Sequence, residues 1–93
     1  LNCIISLHRA SYNNHIEIVK YLIEKCHANV EASTKNEWTP LHYASEKGHI
    51  EVVKYLVEQC NANTNAKAKD GRTPFEIASS DSGTKDYLGY LPH

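Results

Sequence analysis

Thr39-Pro40-Leu41-His42-Tyr43-Ala44-Ser45-Glu46-Lys47-Gly48-His49-Ile50-Glu51-Val52-Val53-Lys54-Tyr55-Leu56 carries most of the folding information in this chain. Thr39 is a good helix N-cap, and Pro40 suits the first helical position, where its missing N–H would have no partner anyway. Leu41, Ala44 and Ser45 put a small apolar face on a short helix that the spacing predicts through Lys47. Gly48 ends it, because glycine enters the left-handed conformation without a Cβ penalty. A second helix is expected from His49 or Ile50, with Glu51 in its first turn on the favourable side of the helix dipole. Ile50, Val53 and Val57 form one apolar line with Val52 and Leu56 beside it, so this helix carries a wide buried stripe. A polar stretch from Asn61 to Arg72 follows, with Asp70-Gly71 as a turn signal. The unit is two antiparallel helices and a hairpin-like loop.

The unit recurs at a period of 34. Leu7-His8-Arg9-Ala10-Ser11 falls on Leu41-His42-Tyr43-Ala44-Ser45, and His15-Ile16-Glu17-Ile18-Val19-Lys20-Tyr21-Leu22 on His49 to Leu56. Cys26 falls on Cys60, Ala28-Asn29 on Ala62-Asn63, and Thr39-Pro40 recurs as Thr73-Pro74. A single unit leaves its apolar faces wet, so the copies must stack.

Thr39-Pro40-Leu41-His42-Tyr43-Ala44 matches the signature T-P-L-H-x-A, and the chain resembles the ankyrin repeat family over nearly its whole length. Gly48 to Leu56 is similar to that family's second helix, and Asp70-Gly71-Arg72-Thr73-Pro74 to its hairpin. The resemblance implies an all-α solenoid of stacked helix-turn-helix units with β-hairpin-like loops. About three repeats are expected, near residues 1–34, 35–68 and 69–93, in a single domain. The usual period is 33, and the extra residue here lies within 26–30 and 60–64. Cysteine stands where glycine would end the second helix. That predicts a slightly longer helix with Asn29 and Asn63 as left-handed caps. Glu37 replaces the hairpin glycine, and Asn36 is the residue expected to absorb the positive φ. Phe75-Glu76-Ile77-Ala78 and the polar Lys85 and Asp86 suit a capping repeat, in which Gly83 to Leu91 aligns with the second helix and Tyr90 with Tyr21 and Tyr55. In the first repeat Ile5-Ser6 replaces Thr-Pro, as if the chain started mid-hairpin.

Composition narrows the function classes. Ten basic and eleven acidic residues give a net charge of −1 with neutral histidines. That balance argues against bulk nucleic-acid binding and against an electrostatic membrane anchor. No apolar run approaches the ~20 residues of a membrane span. Leu1 to Leu7 lacks a basic leader and is not expected to be a signal peptide, and the absence of an initiator Met suggests an excised or processed segment. Three cysteines make no disulfide framework, so an intracellular, cytoplasmic setting and a monomer are expected.

Six histidines invite a metal reading, but His8 and His42, like His15 and His49, recur one per repeat. Copies one layer apart, about 10 Å, do not converge as metal ligands must. The resemblance implies that the histidine of T-P-L-H bonds backbone groups and ties repeats together. Cys26 and Cys60 have no base at helical spacing, and no phosphate loop or nucleophile elbow occurs. Neither enzyme activity, cofactor nor metal is expected.

The repeats agree at framework positions and differ at others. The resemblance places those others on hairpin tips and first helices, on a concave face that binds partner proteins. They are Arg9, Tyr12 and Asn13 in the first repeat. In the second they are Ser33, Lys35, Asn36, Trp38, Tyr43, Glu46 and Lys47, and in the third Lys67, Lys69, Asp70 and Arg72. Trp38, the single tryptophan, is either an interface anchor or a packing residue on the neighbouring hairpin. A protein-binding scaffold follows; the alternative is a structural tail of a longer array that positions another domain. Asn65 matches the hairpin asparagine that ankyrin-like repeats can carry hydroxylated.

Overall fold

The structure, a computed structural model, describes residues 3–78 and 83–90. Thr39 caps the start of a helix by the predicted route. Its hydroxyl accepts from the backbone N–H of His42, while His42 Nδ1 accepts from the backbone N–H of Thr39 at 3.1 Å. Thr73 and Glu76 form the same reciprocal box one repeat later. The elements in chain order are α1 (Cys3–Tyr12), α2 (Ile16–Glu24), α3 (Pro40–Lys47), α4 (Ile50–Lys54), α5 (Pro74–Ile77) and α6 (Gly83–Tyr90). They pair as α1/α2, α3/α4 and α5/α6, and each first helix packs on the first helix of the next pair. The loops are turns, and no strand forms among the described residues. α1 starts at Cys3, so the expected mid-hairpin beginning is replaced by helix. With Ile5-Ser6 in place of Thr-Pro, no cap fixes the start at the usual position.

One core runs through the layers. Leu7, Ala10, Val19, Leu22, Leu41, Ala44, Val52, Val53, Leu56 and Leu88 are all buried. Each fully buried leucine or valine contributes about 2 kcal/mol. Comparing equivalent positions shows what stacking adds. Val52 is fully buried and Tyr55 half-buried, whereas Ile18 and Tyr21, one layer earlier, are 49% and 60% exposed. The hydroxyls of Ser11, Ser45 and Thr84 are buried without a hydrogen-bond partner, a desolvation cost that the surrounding packing must offset.

The extra residue of the 34-residue period sits at the end of each second helix. The first helices close with a bond spanning five residues: His15 N–H to Ala10 O, and His49 N–H to Ala44 O. The second helices close over six: Ala28 N–H to Leu22 O at 3.0 Å, and Ala62 N–H to Leu56 O at 2.9 Å. α4 accordingly widens into a π-turn over Tyr55–Gln59, and in α2 the Cys26 N–H reaches back five residues to Tyr21 O. The left-handed residues are His27 (φ 56°) and Asn61 (φ 54°), not the expected Asn29 and Asn63. Those two asparagines instead accept from the N–H two residues on, at Glu31 and Asn65, and so start the hairpin arms.

The expected register of the third repeat also shifts. Tyr87 takes the place of Tyr55: its hydroxyl donates to Glu58 at 2.6 Å, as that of Tyr55 donates to Glu24 at 2.8 Å. Lys54 lies over the Tyr87 ring as Lys20 lies over Tyr55. Burial, then the Glu58 hydrogen bond, push the Tyr87 phenol up to about 12, so it stays a donor. The side chain of Tyr90, the expected counterpart, lies outside the described residues.

Glu37 itself, rather than Asn36, takes the positive φ of the hairpin, at 61°. The frame forces it. Thr34 N–H donates to Trp38 O and Glu37 N–H to Thr34 O, just as Ala68 N–H donates to Arg72 O and Gly71 N–H to Ala68 O. The residue in Gly71's place must then adopt Gly71's conformation. Glu37→Gly is expected to stabilise the protein by about 1 kcal/mol, read as a higher denaturant midpoint at unchanged slope. An unchanged or lower midpoint would show that this turn stores no strain.

Candidate functional site

His8 and Tyr12 are four residues apart and share one face of α1. Tyr43 on α3 is the repeat equivalent of Arg9 and lies one layer on, against that same face. The hairpin ending at Trp38 leads directly into the Thr39 cap, which brings Trp38 back over α3. The result is a row of rings. Tyr12 meets Tyr43 edge-on at 6.1 Å between centroids, Tyr43 meets Trp38 at 5.1 Å, and Trp38 meets His42 at 5.8 Å. His8 lies 5.4 Å from Tyr43. Tyr12 is 39% exposed, while Tyr43 and Trp38 are half-buried. Trp38 therefore packs on its own layer and still presents an edge.

Two hollows flank the row. One, of about 330 Å³, is lined almost wholly by carbon from His8, Arg9, Tyr12, Thr34 and Tyr43. The other, of about 550 Å³, is lined by Asn36, Trp38, Lys69, Asp70 and Arg72. The Lys47 ammonium lies 5.1 Å from the Tyr12 ring centroid. Arg72 and Asp70 form an exposed pair at 2.7 Å, and Arg72 N–H also donates to Asp70. That backbone N–H, then the guanidinium, hold the Asp70 carboxyl below the usual carboxylate range.

The structure thus brings together Arg9, Tyr12, Trp38, Tyr43 and Lys47, and in the adjoining hollow Asn36, Lys69, Asp70 and Arg72. Ser33, Lys35, Glu46 and Lys67 are exposed and line neither hollow. Asn13 turns its amide back to Arg9 O at 2.9 Å and ends α1. His8, expected only to tie repeats together, and Thr34, which no motif singles out, also line the first hollow. The four-residue step from His8 to Tyr12 was the signal for His8.

A larger hollow, about 670 Å³, lies in the seam between α2 and α4, walled by Lys20, Glu24, Lys54 and Glu58. Its size does not make it the better site. Its side chains are charges of both signs, and Glu24 is already bonded to Tyr55.

The histidines serve the stack. Because His42 Nδ1 accepts from Thr39, its proton sits on Nε2, which donates to Arg72 O at 3.2 Å in the next hairpin. His8 Nε2 reaches Ala32 O at 2.9 Å, and His49 Nε2 reaches Tyr12 O at 2.8 Å. Glu76 keeps the local half of this device, but a carboxylate cannot donate to a carbonyl, so it makes no such tie. Among the described residues no cluster of three or more His, Cys, Asp or Glu side chains is placed to hold a metal. Cys26 and Cys60 form no disulfide, and burial pushes the Cys60 thiol up, away from thiolate chemistry.

A family model described as ankyrin repeats (3 copies) matches residues 7–91. The chain belongs to the ankyrin repeat family. Ankyrin repeats are generally protein–protein interaction modules and typically not enzymes. None of the curated proteins matches this sequence. Among the described residues, no helix of this ankyrin stack is long and apolar enough to cross a membrane.

The His42 geometry has a pH consequence. Burial lowers the pKa of His42 from its ordinary 6.5 and outweighs its backbone partners. The unfolded chain then binds a proton at mildly acidic pH that the folded chain refuses. The stabilisation is complete above about 6.5 and drains away as pH falls below it. Thermal midpoints should therefore decline from pH 7 to pH 5. His42→Gln, which keeps a capping-box side chain, should flatten that decline. An equal decline in wild type and variant would remove His42 as its source.

Proposed function

We propose that the face built from the hairpins and first helices binds a partner protein, with the ring row Tyr12–Tyr43–Trp38 as its anchor. The observation that carries this reading is the contiguous row itself, part-exposed beside a carbon-lined hollow. Aromatic side chains and Arg supply most interface energy. The row is also held in place by the hairpin frame and the His42 ring behind it, so little ordering is needed on association. No catalytic constellation competes for this face among the described residues, and the reading is a scaffold or adaptor without enzymatic activity.

A second reading, a structural tail within a longer ankyrin array, draws support from Ile18 and Tyr21. They occupy positions that the preceding layer covers in the next repeat, and here they are exposed.

Trp38→Ala, Tyr43→Ala and Arg72→Ala should each weaken a partner by about 1–3 kcal/mol, with circular dichroism unchanged. Tyr12→Ala, at the most exposed ring, guards against a folding defect at Trp38. Glu51→Ala, outside the hairpin face, should leave affinity as it is. A partner whose affinity ignores all of the ring and Arg72 changes would place binding elsewhere.

A further inference from the structure

The charged groups around the ring row are not balanced. Arg9 lines the carbon-walled hollow, Lys47 caps the Tyr12 ring, and Lys69 and Arg72 line the second hollow. The one carboxylate among the lining residues, Asp70, is already engaged by Arg72. Other acids near the hairpins are also occupied: Glu31 accepts from Asn63 N–H at 2.7 Å and Glu76 from Thr73 N–H at 3.0 Å. Glu37 and Glu46 line neither hollow. The chain as a whole carries −1, so this cationic rim is a local feature and not a bulk charge.

The two hollows differ in chemistry and are set at a fixed spacing. The first accepts an apolar side chain against Tyr12 and Tyr43. The second offers an ammonium and a guanidinium beside Trp38. They are joined by two ring steps, 6.1 and 5.1 Å, which is at most about three residues of extended chain.

We propose that the partner element is an extended acidic segment with one large apolar side chain seated in the Tyr12–Tyr43 hollow and a carboxylate about three residues away meeting Lys69 and Arg72. This rests on the partner-binding reading of the hairpin face. The apolar side chain gains by leaving water, and the carboxylate gains by meeting Lys69, which has no ion pair among the lining residues, beside Arg72, whose guanidinium it would share with Asp70. Rim charges of this kind act mainly on association rate and selectivity, and their effect is screened by salt. A single-stranded nucleic acid could also pair stacking with cations, but the near-neutral net charge and the narrow carbon-walled hollow favour a peptide.

The probes are fluorescein-labelled peptides of equal length. Each has a central Phe, Trp or Leu, and flanks of Glu and Gly, of Gln and Gly, or of Lys and Gly. An oligothymidylate is a fourth probe. Titration by anisotropy is expected to show binding of the Glu-flanked set, weakening with salt. The Gln set should be at least about tenfold weaker and the Lys set undetectable. Arg9→Glu, Lys47→Glu and Lys69→Glu, all at exposed sites, should each cost the Glu-flanked peptide about tenfold or invert the flank preference. Moving the acid from three residues to one residue beyond the anchor should weaken binding. The proposal is overturned if Gln- or Lys-flanked peptides bind as tightly, if the charge reversals change nothing, if oligothymidylate binds in preference, or if no peptide binds. If peptides bind regardless of flank and Tyr43→Ala abolishes it, the acidic class fails while the face reading survives. If Glu-flanked peptides bind and neither Tyr12→Ala nor Tyr43→Ala weakens them, the ring row is not the anchor and the face reading fails with it.

Discussion

The imidazole of His42 joins two levels of the structure. Its Nδ1 closes the cap of its own helix, and its Nε2 reaches the next hairpin. Protonation would cost the first of these, since an Nδ1–H cannot accept, while Nε2–H would still donate; burial keeps the ring neutral. The ring is fully buried, with the Trp38 ring 5.8 Å from it. Helix start, layer spacing and hairpin position are therefore coupled through one side chain. Trp38 lies against that same ring, so the candidate binding row inherits its placement from the framework.

Much of the architecture was legible in the sequence because local and global preferences agree there. Thr39, Pro40 and Gly48 mark the ends of α3, and the apolar stripe of the second helix is buried at Val52, Val53 and Leu56. The misplaced features share a cause. Sequence propensity favours asparagine for positive φ, and Asn61 follows it, yet Glu37 and His27 take it in preference to Asn36 and Asn29, because hydrogen bonds several residues apart fix where the turn must fall. Local preference yields when the frame around it is already closed. The Tyr87 register is a similar case. Tyr90 continues the repeat alignment, yet the Tyr87 hydroxyl meets Glu58 on the layer before, a partner that the alignment does not reveal.

The candidate site was legible by residue type more than by arrangement. Tyr12, Trp38 and Tyr43 stand out in composition, and the repeat period places them on neighbouring layers. Their contact depends on the tilt of one layer on the next, which no sequence pattern encodes. Nor does the pattern show that His8 and Thr34 wall the hollow between them. Asn13 has the right neighbourhood and the wrong use, since ending α1 consumes its amide.

The ties between layers point in fixed directions. Tyr55 and Tyr87 each reach to the layer before, and so does His49, while His8 and His42 reach to the layer after. Each layer thus has a front and a back with different chemistry, like tongue-and-groove boards. The two ends of the stack are not equivalent, and a flipped layer would set phenol against phenol and leave carboxylates facing each other. Growth by duplication of one unit keeps this polarity automatically, because every copy brings both the tongue and the groove.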